Sequence, residues 1–165
     1  MGLDAHLDLT KGNIKGESKQ AGCADHIELI SWSLGVSNSG SSGHGGGGGG
    51  GKANFQDFHF TMIMSKASPL LMLACATGQH IPEATMTVRK SGQLSGQQKF
   101  VIIKFTDLLI SSYQSGGQDG GDVLPAEQIS FNYSKIEFEF HVQDATGKTS
   151  KGSVAGYDLK LNKKV

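Results

Sequence analysis

Charge of one sign is the first thing missing. Fifteen lysines and arginines stand against fifteen aspartates and glutamates in 165 residues, so the chain carries no net charge with neutral histidines. A nucleic-acid binder needs a basic surplus for its phosphate contacts, and that class is set aside. The same balance leaves little long-range repulsion to oppose self-association. Cysteine is scarce: Cys23 and Cys75 are too few for a disulfide framework, and both are expected to be reduced. No apolar run approaches the about eighteen residues of a membrane span. The first ten residues alternate, with Asp4, His6 and Asp8 among them, where a secretory leader would be basic and then apolar. The expected product is therefore soluble, made in the cytoplasm, and exported, if at all, by a route other than a cleaved signal peptide. Its length suits one domain, residues 1–165, with a core of its own.

What is present is a period of two. Phe58, Phe60, Met62 and Met64 alternate with other residues as a half-buried strand requires, and Ala84, Met86 and Val88 do the same. Phe100 to Phe105 is nearly continuous in apolar residues, which predicts a strand buried on both faces or crossing a packed core. From Ile129 the apolar parity is odd to Tyr133, then even from Ile136 to Val142, so a bulge or bend is expected near Ser134 and Lys135. A similar slip separates Ile27 and Leu29 from Ile30, Trp32, Leu34 and Val36. It turns Ser31 and Ser33 to the face opposite Trp32. A last short strand is expected over 156–161.

One helix is written between Ser68 and Gly78. Ser68 is the expected N-cap, Pro69 suits the first helical position, and Gly78 suits a left-handed stop. The fold class that follows is mainly β, with sheets forming a sandwich or barrel and one helix at the side. Two glycine-rich stretches interrupt it. The longer, residues 37–52, contains seven consecutive glycines and has no core-forming side chains.

The chemical readings are weak. Gly46-x-x-x-x-Gly51-Lys52 has P-loop spacing, but Ala53 stands where the motif needs Ser or Thr, and a strand follows instead of a helix. The six histidines lack metal-ligand spacing and there is no Cys-x-x-Cys, so neither a metal nor another cofactor is expected. No Gly-x-Ser-x-Gly elbow is present. Glu137 and Glu139 alternate with Lys135 and His141 as a polar outer face would. These residues point to an assembly or binding protein, and no catalytic residue is assigned.

The order of short motifs resembles the haemolysin-coregulated protein (Hcp) family, the inner-tube subunit of type VI secretion. The matching runs are Lys15-Gly16-Glu17-Ser18, Ile30-Ser31-Trp32-Ser33-Leu34-Gly35, the serine–glycine tract to Lys52, and Gln56-Asp57-Phe58-His59-Phe60. Ser68-Pro69-Leu70, Cys75 to His80, Ala84 to Lys90, Gly116-Gly117 and Glu127 to Phe131 continue the series. The resemblance implies two β-sheets closing a barrel-like core, with one flanking helix and an extended glycine-rich hairpin. It implies hexameric rings that stack into a tube, driven by a contractile sheath behind a spike, with effector proteins carried in the lumen. By the same resemblance, Ser31 and Ser33 face the lumen and its cargo, and Trp32 packs into the core. Ser39, Gly40, His44, Gly47 and Lys52 belong to the ring-stacking loop. Neither nucleic-acid binding nor membrane insertion is expected, and no toxin domain is expected after the last strand. The alternative left open is a secreted β-rich adhesin or a protein-binding module that forms no tube.

Overall fold

The structure is a computed structural model, and it describes residues 3–40, 51–90, 98–120 and 124–165. The alternating first segment forms β1 (Leu3–Asp8). It ends where the Asp8 carboxylate accepts hydrogen bonds from the Thr10 amide (2.9 Å) and hydroxyl (2.6 Å), starting a 3-10 turn over Thr10–Gly12. β1 lies antiparallel between β2 (Ile27–Leu29) and β7 (His80–Lys90). The intervening segment crosses close to β2. A side chain at Gly16 would begin 2.2 Å from the His26 carbonyl oxygen, so only glycine fits there.

After β2 the chain kinks at Ile30 and continues as β3 (Ser31–Ser33), which pairs with β6 (Phe58–Ile63). The parity slip read in the sequence is this kink. Ile27 and Leu29 belong to the pairing with β1, Ser31 to Ser33 to the pairing with β6, and the Ile30 amide donates to the Thr61 carbonyl at 2.8 Å. Between them β4 (Val36–Asn38) and β5 (Ala53–Phe55) form a separate two-stranded hairpin at the foot of the glycine-rich loop.

The long strands follow as a meander: β7, β8 (Lys99–Ser115), β9 (Ala126–Gln143), β10 (Thr149–Asp158) and the short β11 (Lys163–Lys164). Among the described residues nine strands make one sheet, in the order β11-β10-β9-β8-β7-β1-β2, with β6 on the first half of β9 and β3 beyond it. The two walls meet through the chain at Ile30, without a continuous ladder. The fold is thus mainly β and barrel-like, as expected, though not a fully closed barrel. The two expected sheets are largely one, because β8 and β9 are long enough to run through both walls.

The second parity slip has the same origin. β9 pairs with β6 up to Phe131 and with β10 from Lys135, while β8 stays beside it throughout. The β8 register does not shift at Ser134, so the strands bend together, β8 through Asp107 at φ 55°. The core fills the space inside. Phe58, Phe105 and Phe131 are fully buried, with ring centroids 4.9–5.0 Å apart. In β8, Val101, Ile103 and Phe105 are buried while Lys104 is exposed, so this apolar run buries chiefly one face.

Helix α1 (Ser68–Thr77) lies against β8 with Leu71 and Ala74 buried and Leu70, Met72 and Leu73 exposed. Gly78 ends it at φ 64°, its amide reaching the Ala74 and Cys75 carbonyls. The expected cap is corrected. Ser68 is already helical, and its buried hydroxyl accepts from the Ser65 amide (3.0 Å) and donates to Glu127. The short last strand expected over 156–161 is also corrected: the strand there is longer and runs Thr149–Asp158. Its residues from Ser150 to Ala155 are exposed, so no buried face imposed an alternation to read. Cys23 is buried, Cys75 half-buried, and neither is in a disulfide.

Candidate functional site

Ser31 and Ser33 are exposed on β3, and the sheet register extends them into two rows. One runs Ser33, His59, Ser130, Ser112; the other runs Ser31, Thr61, Gln128, Gln114. Paired residues share a face of an antiparallel sheet, so these side chains form one outer wall across β3, β6, β9 and β8. The residues between the rows include Phe60 and Ile129, which turn inward and are buried.

The wall is polar along both rows and carries no Asp, Glu, Lys or Arg there. The Ser31 hydroxyl donates to Thr61 Oγ1 at 2.9 Å. Ser130 is buried and shares hydrogen bonds with Ser111 (2.8 Å) and Ser112. Ser111 lies where the β8 register shifts, and it donates to Asp57 at 2.6 Å at the edge of the wall. Asp57 acts on Tyr133 too. Burial first, and then this carboxylate, push the Tyr133 pKa up to about 12, so its hydroxyl stays protonated and donates to the Gln56 carbonyl at 3.0 Å. Ser31, Ser33, His59 and Gln128 border a shallow cleft of about 300 Å³, with Trp32 at its rim.

Trp32 departs from expectation. It stacks on Phe58, with centroids 6.2 Å apart and planes 18° from parallel, but remains 37 % exposed. The cause is position: among the described residues β3 is paired on one side alone, so no further strand of theirs lies beyond the indole.

Of the loop residues singled out in the sequence, Ser39, Gly40 and Lys52 are exposed at the hairpin foot, and His44 and Gly47 lie outside the described residues. The foot is drawn together where Asn38 Nδ2 donates to the Gly51 carbonyl (3.0 Å) and the Gly40 amide to Asn38 Oδ1 (2.8 Å).

A second surface was hidden in the sequence because it reads as core. Ile136 is buried on β9, but Phe138, Phe140 and Val142, which continue its face, are 37 %, 41 % and 51 % exposed. The opposite face carries the expected polar alternation, with Lys135–Glu137 at 3.5 Å and His141–Glu139 at 2.7 Å. The sequence reading also missed His59, Thr61, Ser112, Gln114 and Gln128. Their polar parity within apolar strands was a usable signal, but the row they form needs the strand order. Among the described residues, no group of three or more His, Cys, Asp or Glu is placed to hold a metal, and no helix is long and apolar enough to cross a membrane.

A mainly β, barrel-like protein with one flanking helix and an outer wall free of acidic side chains, lysine and arginine has a type VI secretion fold. It superposes on a solved type six secretion system protein with a TM-score of 0.90 at 31 % identity, covering 99 % of this chain and 100 % of that one. Against Hcp1 of Salmonella typhimurium the TM-score is 0.78 at 27 % identity, with both chains fully covered. The family model "Type VI secretion system effector, Hcp" matches residues 6–140. Protein hcp1 of Pseudomonas aeruginosa is 40 % identical over 163 residues, 98 % of either chain. The chain belongs to the Hcp family of type VI secretion proteins.

Proposed function

We propose that the whole chain, 1–165, is a structural subunit of the type VI inner tube. Six copies close into a ring, rings stack through the hairpin loop around Ser39, Gly40, His44, Gly47 and Lys52, and effector proteins ride inside against the wall of Ser31 and Ser33. Its role is assembly and carriage, without catalysis, a metal or a cofactor. Its partners are further copies of itself, effectors, the spike and the contractile sheath, with neither nucleic acid nor membrane insertion. The subunit assembles in the cytoplasm and leaves through the secretion machine.

The observation that carries this reading is the uncovered row Phe138, Phe140 and Val142. It prolongs a core-facing surface beyond the described elements that cover it, and a contiguous apolar surface of that kind marks an interface. A ring of identical subunits supplies the cover by joining two different patches until the rotation closes. The polar wall on β3, β6, β9 and β8 is left free for cargo.

Light scattering with negative-stain microscopy tests the proposal. The expected result is an open ring of six 17.4 kDa subunits. A persistent monomer at micromolar concentration returns the chain to the alternative, an adhesin or binding module without a tube. Within the ring, Ser33→Glu places a charge on the wall and is expected to leave the ring mass unchanged while weakening effector retention. Undiminished co-purification of effector removes Ser33 from the cargo surface.

A further inference from the structure

A second concavity, also about 300 Å³, opens beside the kink at Ile30. Ile30, Ile63 and Leu124 line it and are 57 %, 40 % and 61 % exposed. Glu17 and Glu28, both exposed, stand at its sides, and among the described residues no lysine or arginine lines it. The groove is therefore apolar inside and acidic at its border.

At the other end of the sheet is a segment of opposite character. Residues 159–165 read Leu-Lys-Leu-Asn-Lys-Lys-Val, with three lysines and no acidic side chain. Lys160 is held by Asp107 at 2.6 Å. Lys163 and Lys164 are exposed, and so are Leu161 (62 %) and Val165 (56 %). The segment is pinned by β11, whose Lys163 and Lys164 pair with Asp158 and Tyr157 of β10.

We infer that the groove receives residues 161–165 of a second copy of this chain. Leu161 and Val165 cover Ile30, Ile63 and Leu124, and Lys163 and Lys164 meet Glu17 and Glu28. Charge and apolar character match at both ends of the contact. The two partners also sit where a head-to-tail ring needs them, because β11 and β2 are the opposite ends of the main sheet path. Each copy then offers one basic segment and one acidic groove. The exposed charges fix register and speed encounter, while the apolar groups hold the contact. The inference rests on the ring reading and adds which segments of neighbouring copies meet.

The test combines charge reversal with cross-linking of an equal mixture of light and heavy isotope-labelled protein. Carbodiimide is expected to yield mixed-isotope peptides joining Glu28 or Glu17 to Lys163 or Lys164. Glu28→Lys, on an exposed strand position, is expected to raise the concentration for half-assembly roughly tenfold with an unchanged circular dichroism spectrum. Combining it with Lys163→Glu and Lys164→Glu restores assembly. Rings that form without those cross-links and ignore Glu28→Lys overturn this contact and leave the ring reading standing. A wild-type protein that stays monomeric overturns both.

Discussion

Glu127 is fully buried, and among the described residues hydroxyls, rather than a cation, meet its carboxylate. Ser68 donates to one carboxylate oxygen and Tyr113 to the other, tying the first turn of α1 to β8 and β9. Burial first, and then the carboxylate, raise the Tyr113 pKa above its ordinary value, which keeps the donor proton in place. Glu127→Ala leaves two inward-facing hydroxyls without their acceptor, and an unpaired buried polar group costs about 1–3 kcal/mol. Denaturant unfolding is expected to show a loss in that range. An unchanged midpoint would mean that the hydroxyls find other partners. Ser68 also marks where sequence reading fails at this scale. Ser-Pro before an apolar run is a sound helix start, and the helix, Pro69 and Gly78 were legible. That the serine serves a carboxylate 59 positions away was not, because local spacing carries no record of tertiary neighbours.

At the scale of elements, Asp107 shows how a bend is fastened. Its backbone takes φ 55°, and its carboxylate meets Lys160 (2.6 Å), the Ser134 hydroxyl (3.0 Å) and His80 Nδ1 (3.1 Å). Three elements and the turn after β10 converge on it. The Lys160 hydrogen bond above all, then His80 and Ser134, lower its pKa from 3.8 to about 2. A carboxyl that ionises more readily when folded favours the folded arrangement above its ordinary value. That contribution fades as pH falls from 3.8 to about 2. The group is accessible to solvent, so the effect is local. Hydrogen-exchange protection at Leu159, whose amide donates to the Ser134 carbonyl at 2.8 Å, is expected to fall across that window relative to the intrinsic exchange rate at each pH. Asp107→Asn, which tolerates the left-handed backbone, should flatten the pH response. An equal response in both proteins would detach the bend from this carboxylate. Both parity slips were legible as irregularities, since one-residue shifts flip a strand's apolar face. Their cause was not, because only the partner strands reveal that a segment changes walls.

For the whole molecule, most of the architecture could be read in advance. The mainly β class, the flanking helix and the long strands all follow from period and punctuation. Phe138, Phe140 and Val142 show the limit: alternation states that a face is apolar, and it does not state what covers it. Trp32 erred in the same direction, since its neighbours fixed the strand but not the open edge beyond it. Phe140→Asp therefore tests the assembled state apart from the fold. Surface changes usually alter stability by no more than about 0.5 kcal/mol, so thermal unfolding of the isolated subunit should barely move. The mass of the proposed ring is expected to fall toward that of one chain. Retention of the ring would place the interface elsewhere.

The register carries a consequence for the timing of synthesis. β1 meets β2 early but gains β7 only when residues 85–90 have been made, and β6, already able to pair with β3, waits for residues 126–131 of β9. Translation proceeds at about 5–20 residues per second, far slower than a hairpin forms. Phe58, Phe60 and Met62 therefore travel uncovered for several seconds on the ribosome, with β9 still to come. The barrel-like fold is complete only once β9 and the strands after it have been made. Until then its apolar strands are a natural ground for chaperones, and a shortened chain lacking β9 has no wall to close.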